Sequence, residues 1–205
     1  MNSEFNSGMI SNFMLIFVQY IFNFLKMKKI DNLPKYLVGL VFVLLFRLIP
    51  KIPNVEPITS TMMPYSKKWG PLAGMIFCTV SVLGYDLLSG TLGVWSLITA
   101  GSFALLGLLA GFYFKNRESN VKNYLIFAIF ATLLYDAITG LGIGTIFFGQ
   151  NFMEALVGQI PFTLYHLAGN IVFAVLLSPI LFKWVIENEK FEVSSIFTKF
   201  KVKSS

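Results

Sequence analysis

The chain has 205 residues, 56% of them hydrophobic and only 13% charged, too few polar side chains to clothe a water-soluble globule of this size. Its 16 Lys and Arg outnumber its 10 Asp and Glu, but the basic residues gather at the ends of apolar runs, so they read as membrane-topology signals and no nucleic-acid partner is expected. The lone Cys78 lies inside an apolar run, which leaves no disulfide framework and no cysteine cluster for a metal or an iron–sulfur centre.

The first apolar run, residues 9–25, is followed by Lys26, Lys28 and Lys29. A signal peptide has the opposite order, basic then apolar, so no cleaved presequence is expected. Asn12, Gln19 and Asn23 fall on one stripe of a helix, which suggests an amphipathic segment lying in the interface, with an extra span as the alternative. Crossing a hydrocarbon core of about 30 Å takes about 20 helical residues. Spans are expected at 36–49, 57–65, 71–88, 94–114, 124–139 and 155–185, the second being short. The expected fold is all-α: a polytopic membrane bundle of about six transmembrane helices over residues 34–186. It is preceded by an interfacial helix and basic linker, 1–33, and followed by a basic cytoplasmic tail, 187–205.

Cytoplasmic loops retain Lys and Arg, which allows the orientation to be read. Lys26, Lys28, Lys29 and Lys35 precede the first strong span, and Lys67 and Lys68 follow the second. Lys115, Arg117 and Lys122 separate the fourth and fifth, and Lys183, Lys190, Lys199, Lys201 and Lys203 lie at the end. Connectors 89–93 and 140–154 contain neither Lys nor Arg. Only Arg47 and Lys51 run against the alternation, which requires 57–65 to be counted as a span. The expectation is a multi-pass cell-membrane protein with both termini in the cytoplasm.

The fourth span carries Ala100, Gly101, Ser102, Ala104, Gly107, Ala110 and Gly111. Lipid gives helices no hydrophobic drive to associate, so close backbone approach over small residues supplies the packing. Such a stripe is either an internal bundle contact or a docking face for another membrane subunit.

Ionisable groups within apolar spans are costly and therefore candidates for function. Tyr85-Asp86-Leu87-Leu88-Ser89-Gly90 is echoed 50 residues later by Tyr135-Asp136-Ala137-Ile138-Thr139-Gly140. Both aspartates are expected near the outer end of a helix, where the macrodipole opposes a carboxylate. Either they bond backbone amides of their glycine-rich turns or pair with Arg47, or they hold a solute. Gln159, Thr163, His166 and Asn170 follow the i, i+4, i+7, i+11 spacing and so share one helix face. Thr79 with Asp86, and Thr132 with Asp136 and Thr139, repeat the pattern. These stripes would converge in the outer half of the bundle, capped by Trp95 and the Glu56 segment. His166 is there either a packing residue or a ligand or proton carrier. The two aspartates and the histidine have no metal-ligand spacing, so no metal and no other cofactor is expected. There is no phosphate-binding loop, H-E-x-x-H or G-x-S-x-G motif. The chain therefore equilibrates a solute, uses an ion gradient, or borrows work from a partner.

Residues 34–186 resemble the substrate-binding S components of energy-coupling factor transporters. The resemblance rests on the size and six-span layout with a short second span, and on Ile52-Pro53-Asn54-Val55-Glu56-Pro57-Ile58 leading to Pro64 and Trp69-Gly70-Pro71-Leu72-Ala73-Gly74. It implies capture of a vitamin or related micronutrient near the outer face, and docking on a transmembrane coupling subunit driven by two cytoplasmic ATPases. The substrate residues would then be Glu56, Asp86, Trp95, Asp136, Gln159, Thr163, His166 and Asn170. Family members often carry an Ala-x-x-x-Ala docking motif in the first span. Here that span offers Gly39, and the spacing recurs as Ala100 and Ala104 in the fourth, which with Gly107 and Gly111 are the candidate docking positions. Carboxylates beside Tyr85, Tyr135 and Trp95 would suit a polar or cationic heteroaromatic solute. Two other classes compete: a gradient-driven carrier protonating Asp86, Asp136 and His166, and, last, a membrane-embedded enzyme using the aspartates as acid and base. No nucleophile or metal motif accompanies them, so no enzymatic activity is expected.

Overall fold

The computed structural model describes residues 32–49 and 55–195. The expected N-terminal interfacial helix, residues 50–54 of the proline-containing passage and the end of the basic tail lie outside these residues. Every regular element described is helical. Two come first: α1 (Leu33–Leu48) and α2 (Ile58–Trp69). They are followed by α3 (Pro71–Leu88), α4 (Val94–Phe114), α5 (Val121–Phe148) and α6 (Phe152–Ile186).

The last four are long and apolar enough to cross a membrane, with 18, 21, 28 and 35 residues. With 12 residues, α2 is only about 18 Å long, well short of a hydrocarbon core. Its burial explains how so short and polar a helix survives: every residue from Ile58 to Ser66 is buried, wrapped by α3, α4 and α6.

Local chemistry sets most helix ends. Gly70 takes a positive φ of 87° and hands over to Pro71 at the first helical position of α3, where a missing N–H costs nothing. Ser96 Oγ accepts the Gly93 N–H at the start of α4, 3.1 Å away, and the Asn120 side chain accepts from Asn123 N–H at 3.0 Å to cap α5. Gly149, with φ 64°, terminates α5. Asn151 then caps α6 through Met153 N–H at 2.9 Å.

The connection between α5 and α6 is thus residues 149–151, not the 140–154 loop expected from its glycines. Gly140 and Gly144 lie within the helix, where neighbours occupy the space a side chain would need. A β-carbon on Gly140 would overlap the Gln159 side chain, and one on Gly144 would lie 2.8 Å from Gln150 Oε1. The backbone widens into a π turn over Ala137–Gly142, a local expansion frequent at functional sites.

The most extensive helix contact joins α3 to α4. A β-carbon on Gly107 would overlap the Gly74 backbone, and one on Gly111 would overlap Pro71. Ser66 Oγ on α2 donates to the Gly107 carbonyl at 3.3 Å, binding three helices at one point. On α1, Gly39 lies against the Tyr65 ring, while Tyr36 stacks on Trp69 with centroids 4.6 Å apart. Gly39, Gly107 and Gly111, expected as docking positions, thus make close contacts within the chain. Ala100 is buried as well, and Ala104 is half-buried.

At the other end of α2, Lys67 Nζ donates to the Phe114 carbonyl at 3.1 Å, answering an orphan acceptor at the negative end of α4. Lys67→Met is expected to lower stability by about 1 kcal/mol, read as a small drop in the thermal unfolding midpoint of purified protein in detergent.

Bundle residues Tyr36–Glu189 form one compact unit, and the described residues 32–35 and 190–195 belong to another. Within the second, buried Lys35 pairs with Glu192 at 2.8 Å.

Candidate functional site

Thr132 and Asp136 lie one turn apart on α5, and His166 and Asn170 lie one turn apart on α6, so each pair points from a single helix face. The two faces meet as two rungs. His166 Nδ1 and Asp136 Oδ1 are 2.8 Å apart, and Asn170 Nδ2 donates to Thr132 Oγ1 at 2.8 Å. The Tyr135 ring stands edge-on to His166 with centroids 5.5 Å apart.

The rungs are incompletely satisfied. Asp136 Oδ2, His166 Nε2 and Asn170 Oδ1 are buried without a hydrogen-bond partner among the described residues. Leaving a buried polar atom unmade costs about 1–3 kcal/mol, and native structures rarely tolerate it without a reason such as a ligand or a bound water. Three such atoms on two adjacent rungs single out this place in the molecule.

Asp136 does not end a helix as expected. Phe148, the last residue of α5, lies twelve residues beyond it, about 18 Å further along the axis, so the opposing helix-end dipole no longer applies. Nor do the three side chains open to solvent: Asp136 is 4% exposed, His166 3% and Asn170 1%. The expected outward-facing pocket is, in this conformation, an occluded polar seam midway along both helices.

Arg47 meets the Glu56 carboxylate at 3.2 Å and lies over the Tyr85 ring, 4.1 Å from its centroid. The carboxylate found at that distance is thus Glu56, not one of the aspartates. Val55 packs against α6, 3.1 Å from where a Gly169 β-carbon would stand, which sets Glu56 beside the helix that carries His166. Arg47, Glu56, Asp86 and Asp136 all lie within Coulombic reach of the Tyr135 phenol. Gln159 abuts Gly140 at the π turn, and Thr163 is half-buried between it and His166 along α6. Trp95, at the start of α4, is 49% exposed and is not brought into the seam.

Thr132 and Tyr135 complete the site, and both were readable from the Asp136 helix face. Less legible was the polar lining of α2. Ser178 Oγ donates to the Ser60 carbonyl at 2.7 Å and Ser60 Oγ to the Asn170 carbonyl at 3.5 Å, which ties the buried helix to the lower rung. The only signal was the Thr59-Ser60-Thr61 run inside a segment expected to be a span. Among the described residues, no group of three or more His, Cys, Asp or Glu could hold a metal ion.

Fold and site together define an all-α protein with four helices suited to a membrane and a buried, partly unsatisfied polar seam between two of them. No family model, curated protein or solved structure matches the chain.

Proposed function

We propose that the chain is a membrane-embedded solute-capture subunit of the energy-coupling factor type, and that its solute, a vitamin or related small micronutrient, is held at the α5–α6 seam. In this reading α1 and α2 add two crossings to the four long helices, an N-terminal interfacial helix precedes them, and both termini are cytoplasmic. The observation that carries the proposal is the set of three bare polar atoms on Asp136, His166 and Asn170, which a bound solute would satisfy. The proline-containing passage into Trp69-Gly70-Pro71 and the absence of any phosphate-binding loop support a division of labour in which ATPases on a partner supply the work.

The experiment is affinity purification of the full chain from native membranes. Co-isolation of a transmembrane coupling subunit, two ATPases and one stoichiometric small metabolite is the expected result. A chain that emerges alone and binds nothing from a broad vitamin panel defeats the proposal. The buried Asp136–His166 pair also favours a second reading, a proton-coupled carrier. Solute uptake into ATP-free proteoliposomes holding this chain alone would select that reading over the first.

A further inference from the structure

The hydrogen-bond inventory of the seam specifies which kind of atom is missing from it. Thr132 donates its one hydroxyl proton to the Ala128 carbonyl at 2.8 Å, so toward Asn170 its oxygen accepts. The amide nitrogen must therefore be the group facing Thr132, which leaves Asn170 Oδ1, an acceptor, bare. Asp136 Oδ1 lies 2.8 Å from His166 Nδ1, and an ionised carboxylate can only accept there, which makes its Oδ2 a second bare acceptor. His166 Nε2 is also bare, and whether it donates or accepts follows the tautomer of the ring. One of the two N–H donors of the Asn170 amide is engaged with Thr132, so at most one remains to set against these acceptors.

Charge points the same way. Among the described residues, the formal charges that reach Tyr135 are the Arg47 guanidinium and the carboxylates of Glu56, Asp86 and Asp136. Carboxylates outnumber cations there whether or not His166 is protonated, and in a low-dielectric surrounding such an excess favours a cation and repels an anion. We infer that the seam takes its ligand by an N–H-rich group, an ammonium, an amidinium or the amino edge of a heterocycle, and not by a carboxylate or phosphate. This inference rests on the solute-capture reading and narrows it to a chemical class.

The test uses the full chain in lipid nanodiscs, with calorimetry and thermal unfolding as readouts, and probe pairs of the same skeleton in which an amino group is replaced by a hydroxyl or carbonyl: benzylamine against benzyl alcohol, adenine against hypoxanthine, cytosine against uracil. In at least one pair the amino member is expected to bind about tenfold tighter or more, the scale of one charge-assisted hydrogen bond. Asp136→Asn, which can place an amide donor where a bare acceptor stood, is expected to abolish that preference. The wild-type comparison stands by itself if the variant does not fold. Equal affinity within every pair overturns the donor-rich class while leaving solute capture intact, as does stabilisation by sodium chloride alone. Mass spectrometry of any molecule carried through purification is a separate readout: a compound with amino or amidine donors supports the class, and one without N–H donors overturns it. Absence of binding by all six probes, with no carried molecule, overturns both this inference and the capture reading.

Discussion

His166→Leu, with Asp136 left in place, is expected to destabilise the protein by about 3–5 kcal/mol, because it strands a buried carboxylate without its partner. Both groups are almost fully enclosed, and only one oxygen of the carboxylate is bonded in the native seam, so its loss leaves both oxygens bare. The paired change Asp136→Val/His166→Leu is expected to recover most of that stability, since an apolar pair of similar bulk removes the desolvation cost on both sides. The same double variant would lose solute binding altogether. Unfolding in detergent measured across the four proteins of this cycle gives the coupling directly. If the two single changes add without interaction, the Asp136–His166 contact contributes nothing to the fold and the seam is not a coupled pair.

The second large effect is steric. Gly107→Val on α4 drives a side chain into the Gly74 backbone on α3. Backbone cannot swing aside as a flexible side chain does, so the two helices must separate, at a cost of about 3 kcal/mol or more. Gly101, six residues earlier on the same helix, has nothing within 4 Å of the corresponding position. Gly101→Val is accordingly expected to shift the unfolding midpoint little, and it controls for the general effect of a β-branched residue on helix propensity. Similar losses at both positions would show that α3 and α4 are not held by close backbone approach.

How far the chain could be read before its structure depends on the range of the signal. The bounds of α3 and α4 were legible because Gly70-Pro71 and the Ser89 to Gly93 turn act within a few residues of themselves. The end of α5 was not. Glycines at 140, 142 and 144 are ordinary loop signals, and the close approach of Gln159 to Gly140, which leaves no room for a side chain there, is set by the packing of α6 on α5. In the seam, the i, i+4 spacing identified which residues share a face on each helix, and Asp136 and Asn170 meet their partners accordingly. The Arg47–Glu56 pair and the engagement of Gly39 by Tyr65 could not be read, since nothing local distinguishes a residue that will face a partner inside the chain from one that will face another subunit.

The enclosure of α2 bears on how the chain is made. A twelve-residue segment with two lysines and five hydroxyl-bearing residues gains too little from hydrocarbon to leave the insertion machinery unaided. The Gly74–Gly107 junction that receives Ser66 is formed by parts of the polypeptide synthesised later. Burial of this segment therefore waits on the downstream α3–α4 hairpin, which supplies the surface that encloses it.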